Sequence, residues 1–576
     1  MIPQTFIDEV QSKTDIVELI NSYFPLKHSG RNFRALCPFH SEKNPSFFVS
    51  PQKQIFHCFS CGEGGGPIQF VMLYERVSFV EAIEILAKRL GLKIPYENRE
   101  REKQKNTLYQ AVNEASLFFH RSLLVESSKP ILIYLKKRGI EKEAIEKFRI
   151  GYAIGKKTLM DYLRKKGFSL DVLEKTSLVV STSDGYRDFF NERIIFPIFD
   201  LRSRVLGFGA RLWQEREDLP KYINSLESSI YSKREHLFGF NFSKEDVLKN
   251  DCAIIVEGYL DMIIPFINGI RNIVASLGTA LTIEQINLIK RYTKNIILVF
   301  DPDRAGETAT LRSLDLLLEN DLKVRIAKLP SGFDPDSFVR EKGKDNFLEI
   351  LNKSLNFFDY KIEVLKNTYD VESIVGKTKI AQDFFNTLDK LTSEIEKYEY
   401  IKLLSQELKI REEILIAEFR NFTSKNRGRT FSSNNNSKIS EPLSLTEKVL
   451  LKFMLVNNKA FSIIKNNLEP QDFNYPLAKK TVAYFFEKYH MVQNGNLANL
   501  IGSIEDKEIS GFVSKILIDD DIPLEKEIFK DSLEKLRKKK IKSLKNNLLG
   551  EIKEAEKNKD KERLKKLIEK YNKIRS

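Results

Sequence analysis

The sequence predicts a multidomain α/β protein with a zinc ribbon at the amino end, a central α/β catalytic core on a parallel sheet, and an all-helical carboxyl-terminal domain. Three observations lead there. Four candidate metal ligands fall in two pairs, Cys37-Pro-Phe-His40 and Cys58-Phe-Ser-Cys61. Between Cys252 and Asp303, three Ile/Val-rich runs end in Glu257, Gly278 and Asp301, and a helical pattern follows each, which is the rhythm of βαβ units. A Ser/Asn-rich stretch at 424–442 then precedes segments whose apolar residues recur at helical spacing.

The totals agree with several domains. A chain of 576 residues exceeds what one hydrophobic core normally supports. A net charge of +14, from 94 Lys and Arg against 80 Asp and Glu, favours a polyanionic partner. Four cysteines in so long a chain do not make a disulfide scaffold, and three of them sit at metal-ligand spacing. The first residues, MIPQTFIDEVQSKTDIVELI, lack the basic and apolar regions of a signal peptide, and no apolar run reaches the roughly 18 residues of a membrane span. A cytoplasmic protein with no membrane partner is expected.

Residues 1–97 form the zinc module. Its first 24 residues read as an amphipathic helical start, with Asp15 and Glu18 at capping-box spacing. Cys37, His40, Cys58 and Cys61, two tight pairs around a β-like segment, can close a tetrahedral Cys₃His site on one Zn²⁺. His57 and His28 are rival nitrogen ligands, but His40 completes the pair with Cys37. Arg31, Arg34, Lys43, Phe47, Phe48 and Phe56 mix cations with aromatics, a mixture suited to single-stranded nucleic acid, although aromatics in a small ribbon also build its core. The charged run 98–106 reads as a linker or a solvated helix end.

Residues 107–250 open with helical stretches and lead to RIIFPIFDLRSRVLGFGARL, two apolar runs about the turn-like Asp200-Leu201-Arg202-Ser203. Gly207 and Gly209 allow close backbone approach to another group. The segment after Arg211 carries Lys221, Tyr222, Asn224, Lys233 and Arg234, a set able to hold phosphates and equally able to be a solvated loop.

Residues 251–344 hold the acidic constellation. Ligands of parallel sheets sit beyond the carboxyl ends of the strands, so Glu257, Asp261, Asp301 and Asp303 converge there, and Asp334 and Asp336 join them from the loop after KVRIAKL. Crowded carboxylates need a cation, and all-oxygen ligation suits Mg²⁺. Asp-Pro pairs also open turns, which is the competing reading of both DxD segments. Gly376-Lys377-Thr378 imitates the end of a Walker A loop, but Val371 stands where its first glycine belongs, which argues against an ATPase. Residues 345–423 read as the helical part of the core, and 443–576 as an all-helical domain with Leu533, Leu536, Leu544, Leu548, Leu564, Leu567 and Ile568 at apolar positions and a hairpin break near 558–560.

In order along the chain, CPFH, CFSCG, RIIFPIFD with GFGAR, KYINS, VEGYLD, ASLGT, FDPDRAG and FDPDSF resemble the bacterial replicative DNA primases of the DnaG type, over roughly residues 1–345. The resemblance implies a Toprim domain in the core and a DNA-directed RNA polymerase that makes short RNA primers from NTPs on single-stranded DNA at the replication fork. It implies Glu257, Asp261, Asp301, Asp303, Asp334 and Asp336 as the catalytic set, with Glu257, Asp301 and Asp303 on one to three Mg²⁺ ions, Mn²⁺ being a substitute. Arg211, Lys221, Tyr222, Asn224, Lys233 and Arg304 would contact template or nucleotide. Residues 443–576 would dock on the replicative helicase, and single-strand-binding protein is a further partner. The chain departs from the family pattern at Leu226, where the family has proline, in SKREH, which lacks the usual glycine, and at Lys147, where relatives carry arginine.

Two other classes compete. A Toprim nuclease or topoisomerase would use the same metals to cleave phosphodiesters, and a topoisomerase also needs a tyrosine nucleophile, whereas Tyr222 and Tyr259 lie in other motifs. A non-enzymatic helicase adaptor would leave six placed carboxylates unused.

Overall fold

A computed structural model of the chain describes all residues except 1, 96–98, 156, 215, 279, 301–303, 392, 428–442, 488–503, 505, 520–521, 558–560 and 574–576. The chain forms two compact units, one of Met1–Asn98 with Asn434–Ser576 and one of Arg99–Ser433.

In the first unit, β1 (Lys27–Ser29), β2 (Asn32–Ala35), β3 (Phe47–Ser50), β4 (Ile55–Cys58) and β5 (Gly64–Gly65) form an antiparallel sheet in chain order. Strand alternation sends Phe47, Val49 and Phe56 to one face, where they pack with Ile16, Phe70 and Ile83 from the helices around the sheet. Each such side chain contributes about 1.5–3 kcal/mol on burial. Asp15 caps the helix Ile16–Asn21, its side chain accepting from Val17 N and Glu18 N.

The helices Leu445–Val456, Asn458–Asn467, Pro476–Glu487, Lys507–Ile518 and Lys526–Lys557 enclose a separate cluster containing Leu450, Met454, Phe461, Phe485, Val513 and Ile516. The last of them packs against Lys561–Lys573, the expected hairpin, whose break at 558–560 lies outside the described residues. Leu533, Leu536 and Leu567 are buried, whereas Leu544 and Ile568 are exposed.

The second unit begins with a helix over Arg99–Leu123, so of the two readings of the charged run the backbone after residue 98 takes the helix end. Lys103–Asn106 are exposed, which is why the run carries no apolar periodicity. Among the strands that follow are β6 (Gly151–Ala153), a hairpin of β7 (Val179–Thr182) and β8 (Gly185–Asp188), then β9 (Arg193–Phe199), β10 (Val205–Leu212) and β11 (Tyr222–Asn224). β11, β10, β9 and β6 pair antiparallel in that order, and the β9–β10 hairpin turns where its sequence predicts. Asp200 makes the turn by accepting from Arg202 N and Arg204 N.

The catalytic sheet has the order β13 (Ile273–Ala275), β12 (Ala253–Val256), β14 (Asn295–Leu298), β15 (Lys323–Ile326), β16 (Leu355–Asn356). The first four are parallel as the βαβ rhythm predicts, and β16 adds an antiparallel edge. Both faces are covered. Ile255, Ile296 and Leu298 join Phe358, Phe384 and Leu404 from the helices after β16, while Ile254, Val256 and Ile297 join Ile263, Phe266 and Ile270. The Gly376-Lys377-Thr378 triplet lies inside the helix Ile374–Leu388, where Ser373 Oγ accepts from Gly376 N, so it forms no phosphate loop.

Candidate functional site

The four ribbon ligands come together. One donor atom from each of Cys37, His40, Cys58 and Cys61 lies within 4.8 Å of all the others. Cys37 Sγ and Cys61 Sγ are 3.8 Å apart, and a tetrahedron with metal–sulfur bonds of about 2.3 Å has edges of about 3.8 Å. The donor set is therefore dimensioned for zinc. His40 Nδ1 lies 3.9 Å from Cys58 Sγ, and its Nε2 lies 3.1 Å from Glu42 Oε2. Glu42 also accepts from Cys37 N at 2.7 Å and from Ser46 Oγ at 2.5 Å, and the Ser46 hydroxyl is 3.1 Å from Cys58 Sγ. Glu42 thus braces the cluster through Cys37 N and Ser46 and sets a negative charge beside the histidine, whose Nε2 makes no aligned hydrogen bond among the described residues. In the sequence Glu42 carries no signal beyond its place two residues after His40. Burial pushes the Cys37 thiol well up, so metal binding there must displace a firmly held proton. Neither rival histidine belongs to the set: His57 is buried in β4 and the His28 ring packs on Phe33.

At the catalytic sheet, adjacent parallel β12 and β14 send their carboxyl ends to the same edge, with Val299 N donating to Ile255 O. Glu257 follows β12 directly. The backbone of Gly278, in the left-handed conformation at φ 70°, donates to the Glu257 carbonyl at 3.1 Å, which ties the loop after β13 to the same edge. Asp301 and Asp303, which follow β14, lie outside the described residues, and of Arg304 only the helical backbone is described.

Asp261 lies in the first turn of the helix Tyr259–Ile267, and its carboxylate occupies the space over Gly258, where a Cβ would be 2.6 Å from Oδ2. Its other oxygen accepts from Asp336 N at 3.4 Å, so the second DxD reaches the first acidic loop. Asp334 caps the helix Pro335–Lys342, accepting from Ser337 N at 2.7 Å. Asp336 is 1% exposed and takes Arg138 Nη1 and Arg340 Nε, each at 2.6 Å. Its carboxylate is held by two guanidinium groups.

The basic segment reaches the same place. Burial chiefly pushes the Tyr222 phenol up to about 12, Arg211 opposes the shift and Asp261 adds to it, so all three lie within electrostatic reach. The Arg211 guanidinium lies 5.3 Å from the centre of the Tyr134 ring and 5.6 Å from that of Tyr222, and the residue is only 4% exposed. Asn224 accepts from the Tyr259 hydroxyl at 2.5 Å. Gly209 permits this: a Cβ there would be 2.0 Å from Tyr259 Cζ, the close approach its glycine predicts. Lys221 is exposed, and Lys233 is half-buried, with its backbone N–H donating to Glu227. Lys147 lies elsewhere, its ammonium 4.6 Å from the centre of the Phe266 ring. Arg138 is the functional candidate that the sequence analysis misses. In Lys136-Lys137-Arg138 it reads as a cation compensating a helix carboxyl end, and only the tertiary fold brings it to Asp336, 198 residues on.

A zinc-ligand cluster and a parallel α/β sheet with Glu257 directly after β12 and Asp261 met by Asp336 N belong to the class of enzymes that join or cleave nucleic acid phosphodiesters. Profiles for the DnaG CHC2 zinc finger match residues 2–102, for the N-terminal domain of the DNA primase catalytic core 118–244, for a Toprim-like domain 254–339, and for the DnaB-helicase binding domain of primase 358–413. The DNA primase of Clostridium acetobutylicum is 33% identical, with 96% of this chain and 95% of that protein covered. That of Aquifex aeolicus is 36% identical over 81% of this chain and 88% of its own. A solved DnaG primase catalytic domain bound to single-stranded DNA shares 31% identity and a TM-score of 0.50 over 54% of this chain and 99% of its own. The chain belongs to the bacterial DNA primases of the DnaG type, DNA-directed RNA polymerases that synthesise RNA primers.

The helicase-binding match falls on the helices Phe357–Thr368 to Glu394–Leu408, upstream of 424–442, not on 443–576 where the sequence analysis places that role. Among the described residues no helix is long and apolar enough to cross a membrane. Tyr259 is unsuited to be the tyrosine nucleophile of a topoisomerase, because it is buried with its hydroxyl committed to Asn224.

Proposed function

We propose that primer synthesis takes place at the edge where β12 and β14 end, with Glu257, Asp301 and Asp303 holding Mg²⁺ and Asp261 and Asp334 beside them. The hydrogen bond from Asp336 N to Asp261 carries this reading, since it brings two acidic segments far apart in sequence to one place. Bound Mg²⁺ or Mn²⁺, in one to three ions, neutralises phosphate charge and makes an attacking hydroxyl more acidic. Asp336 has a different part: its ion pairs with Arg138 and Arg340 hold the loop bearing Asp334. Glu257 is either a ligand or the group that receives the hydroxyl proton.

Single-stranded DNA, which the related catalytic domain binds, lies as template along the segment of Lys221, Tyr222 and Asn224, with NTP phosphates near Arg211, Lys233 and Arg304. Because Arg211 is buried against the rings of two tyrosines, it acts mainly by setting Tyr222 and through its charge. The ribbon adds a second contact to single-stranded DNA. Residues 358–413 dock on the replicative helicase, and 443–576 belong to the same docking region or bring single-strand-binding protein to it. The enzyme works in the cytoplasm at the replication fork. A gel assay of RNA formed from NTPs and Mg²⁺ on single-stranded DNA, with wild type against Lys221→Ala, tests the template assignment. Reduced synthesis with a weaker template Kd supports it, and an unchanged Kd contradicts it.

A further inference from the structure

The ribbon sheet has a second face. Its register sets Lys27 opposite Arg34, Arg34 opposite Phe48, Phe48 opposite His57 and His57 opposite Gly64, one continuous cross-strand row on the side away from the buried Phe47 and Phe56. Lys27 and Arg34 are exposed and Phe48 is half-buried, and the exposed Phe59 ring packs edge-on to both Phe48 and His57. Cations followed by aromatics along a strand-crossing row suit the phosphates and bases of a single strand.

The far end of this row is covered. His57 is 1% exposed because the helix Lys507–Ile518 of the helical domain sits on β4 and β5. The fit depends on small residues on both sides. A Cβ on Gly64 would lie 3.0 Å from Ser514 Cβ, and one on Gly511 would lie 2.5 Å from Gly62 O. Ser510 Oγ donates to Gly64 O at 3.0 Å, Lys53 Nζ donates to Leu517 O, and the ribbon's Ile55 joins the apolar cluster of the helical domain. Steric closeness is not matched by polar satisfaction: His57 Nδ1 and Ser514 Oγ are buried without a hydrogen-bond partner among the described residues. Each is a desolvation cost that opening relieves, which suits a reversible contact.

We propose that the helix Lys507–Ile518 and single-stranded nucleic acid compete for the outer face of the zinc ribbon, so that the helical domain holds the ribbon in a masked state until it is drawn away. The proposal rests on the ribbon's contacting single-stranded DNA. Linkage makes the competition reciprocal: whatever factor the docked helix takes from DNA affinity, bound DNA takes from docking.

The test uses the zinc-loaded full chain, a labelled oligothymidylate, and hydrogen exchange read by mass spectrometry. Gly511→Leu wedges the contact, and Ser514→Lys opens it without a bulky apolar group, so misfolding of one leaves the other. Both are expected to speed exchange at 55–65 and tighten oligothymidylate binding by about fivefold or more. In wild type, the oligonucleotide is expected to speed exchange at 507–518. Unchanged exchange at 55–65 in both variants, or faster exchange with equal or weaker DNA binding, overturns the proposal. A separate comparison, Arg34→Glu with Phe48→Ala in the Ser514→Lys background, isolates the ribbon: if DNA affinity does not fall, the ribbon is no DNA contact and that reading fails first.

Discussion

Arg138 and Asp336 meet in an ion pair of 2.6 Å that joins the helical lead-in of the core to the second acidic loop of the catalytic sheet. Asp336 is the more deeply buried partner and shares its other oxygen with Arg340. Removing one partner of a buried pair costs about 3–5 kcal/mol, and the remaining arginine softens that. Arg138→Ala is expected to lower unfolding stability by about 2–3 kcal/mol in denaturant titration and to depress primer synthesis. Arg138→Lys should recover part of the stability and little of the synthesis, because lysine keeps the charge without the planar fork. Equal recovery of both would show a merely structural pair.

The Tyr259 ring stands where a side chain on Gly209 would be, so Gly209→Ala should cost about 1–3 kcal/mol by overpacking. Tyr259→Phe keeps the ring and removes the hydrogen bond to Asn224, at about 1 kcal/mol. Thermal unfolding of the two variants separates the effects. A neutral Gly209→Ala would mean that β10 and the helix after Glu257 do not approach as described.

How much of this was legible in the sequence depends on range. The zinc ligands and the parallel strands are local patterns, two spaced pairs and repeated Ile/Val runs, and the structure keeps both. Gly209 announced a close approach but not its partner, since Tyr259 arrives from the helix that follows β12. Asp336 read as one more carboxylate because nothing near it in the chain reveals Arg138. The run after residue 98 left a linker and a solvated helix end both open, because residues 103–106, though helical, are exposed and display no apolar stripe. The docking of Lys507–Ile518 on the ribbon had no sequence signal, because glycines and serines that permit close packing look like ordinary small residues.

The Glu42 carboxylate lies 3.1 Å from His40 Nε2 and accepts from Cys37 N and Ser46 Oγ, which places it among the supports of the ligand cluster. Glu42→Gln should weaken zinc binding about 10- to 100-fold in a chelator competition, with the fold of the loaded ribbon kept. Stripping the metal altogether should loosen 27–65, read as faster exchange there with the Arg99–Ser433 unit unaffected. Retention of zinc affinity in Glu42→Gln would remove Glu42 from the centre.

The most direct test is an assay of RNA synthesis on single-stranded DNA with all four NTPs and Mg²⁺, comparing wild type, Asp301→Asn and Glu257→Gln. The carboxylate edge of β12 and β14 predicts RNA oligomers from wild type and a loss of about a hundredfold or more in each variant, with DNA binding kept. Undiminished synthesis by either variant, or nicked DNA with no nucleotide incorporated by wild type, would contradict it.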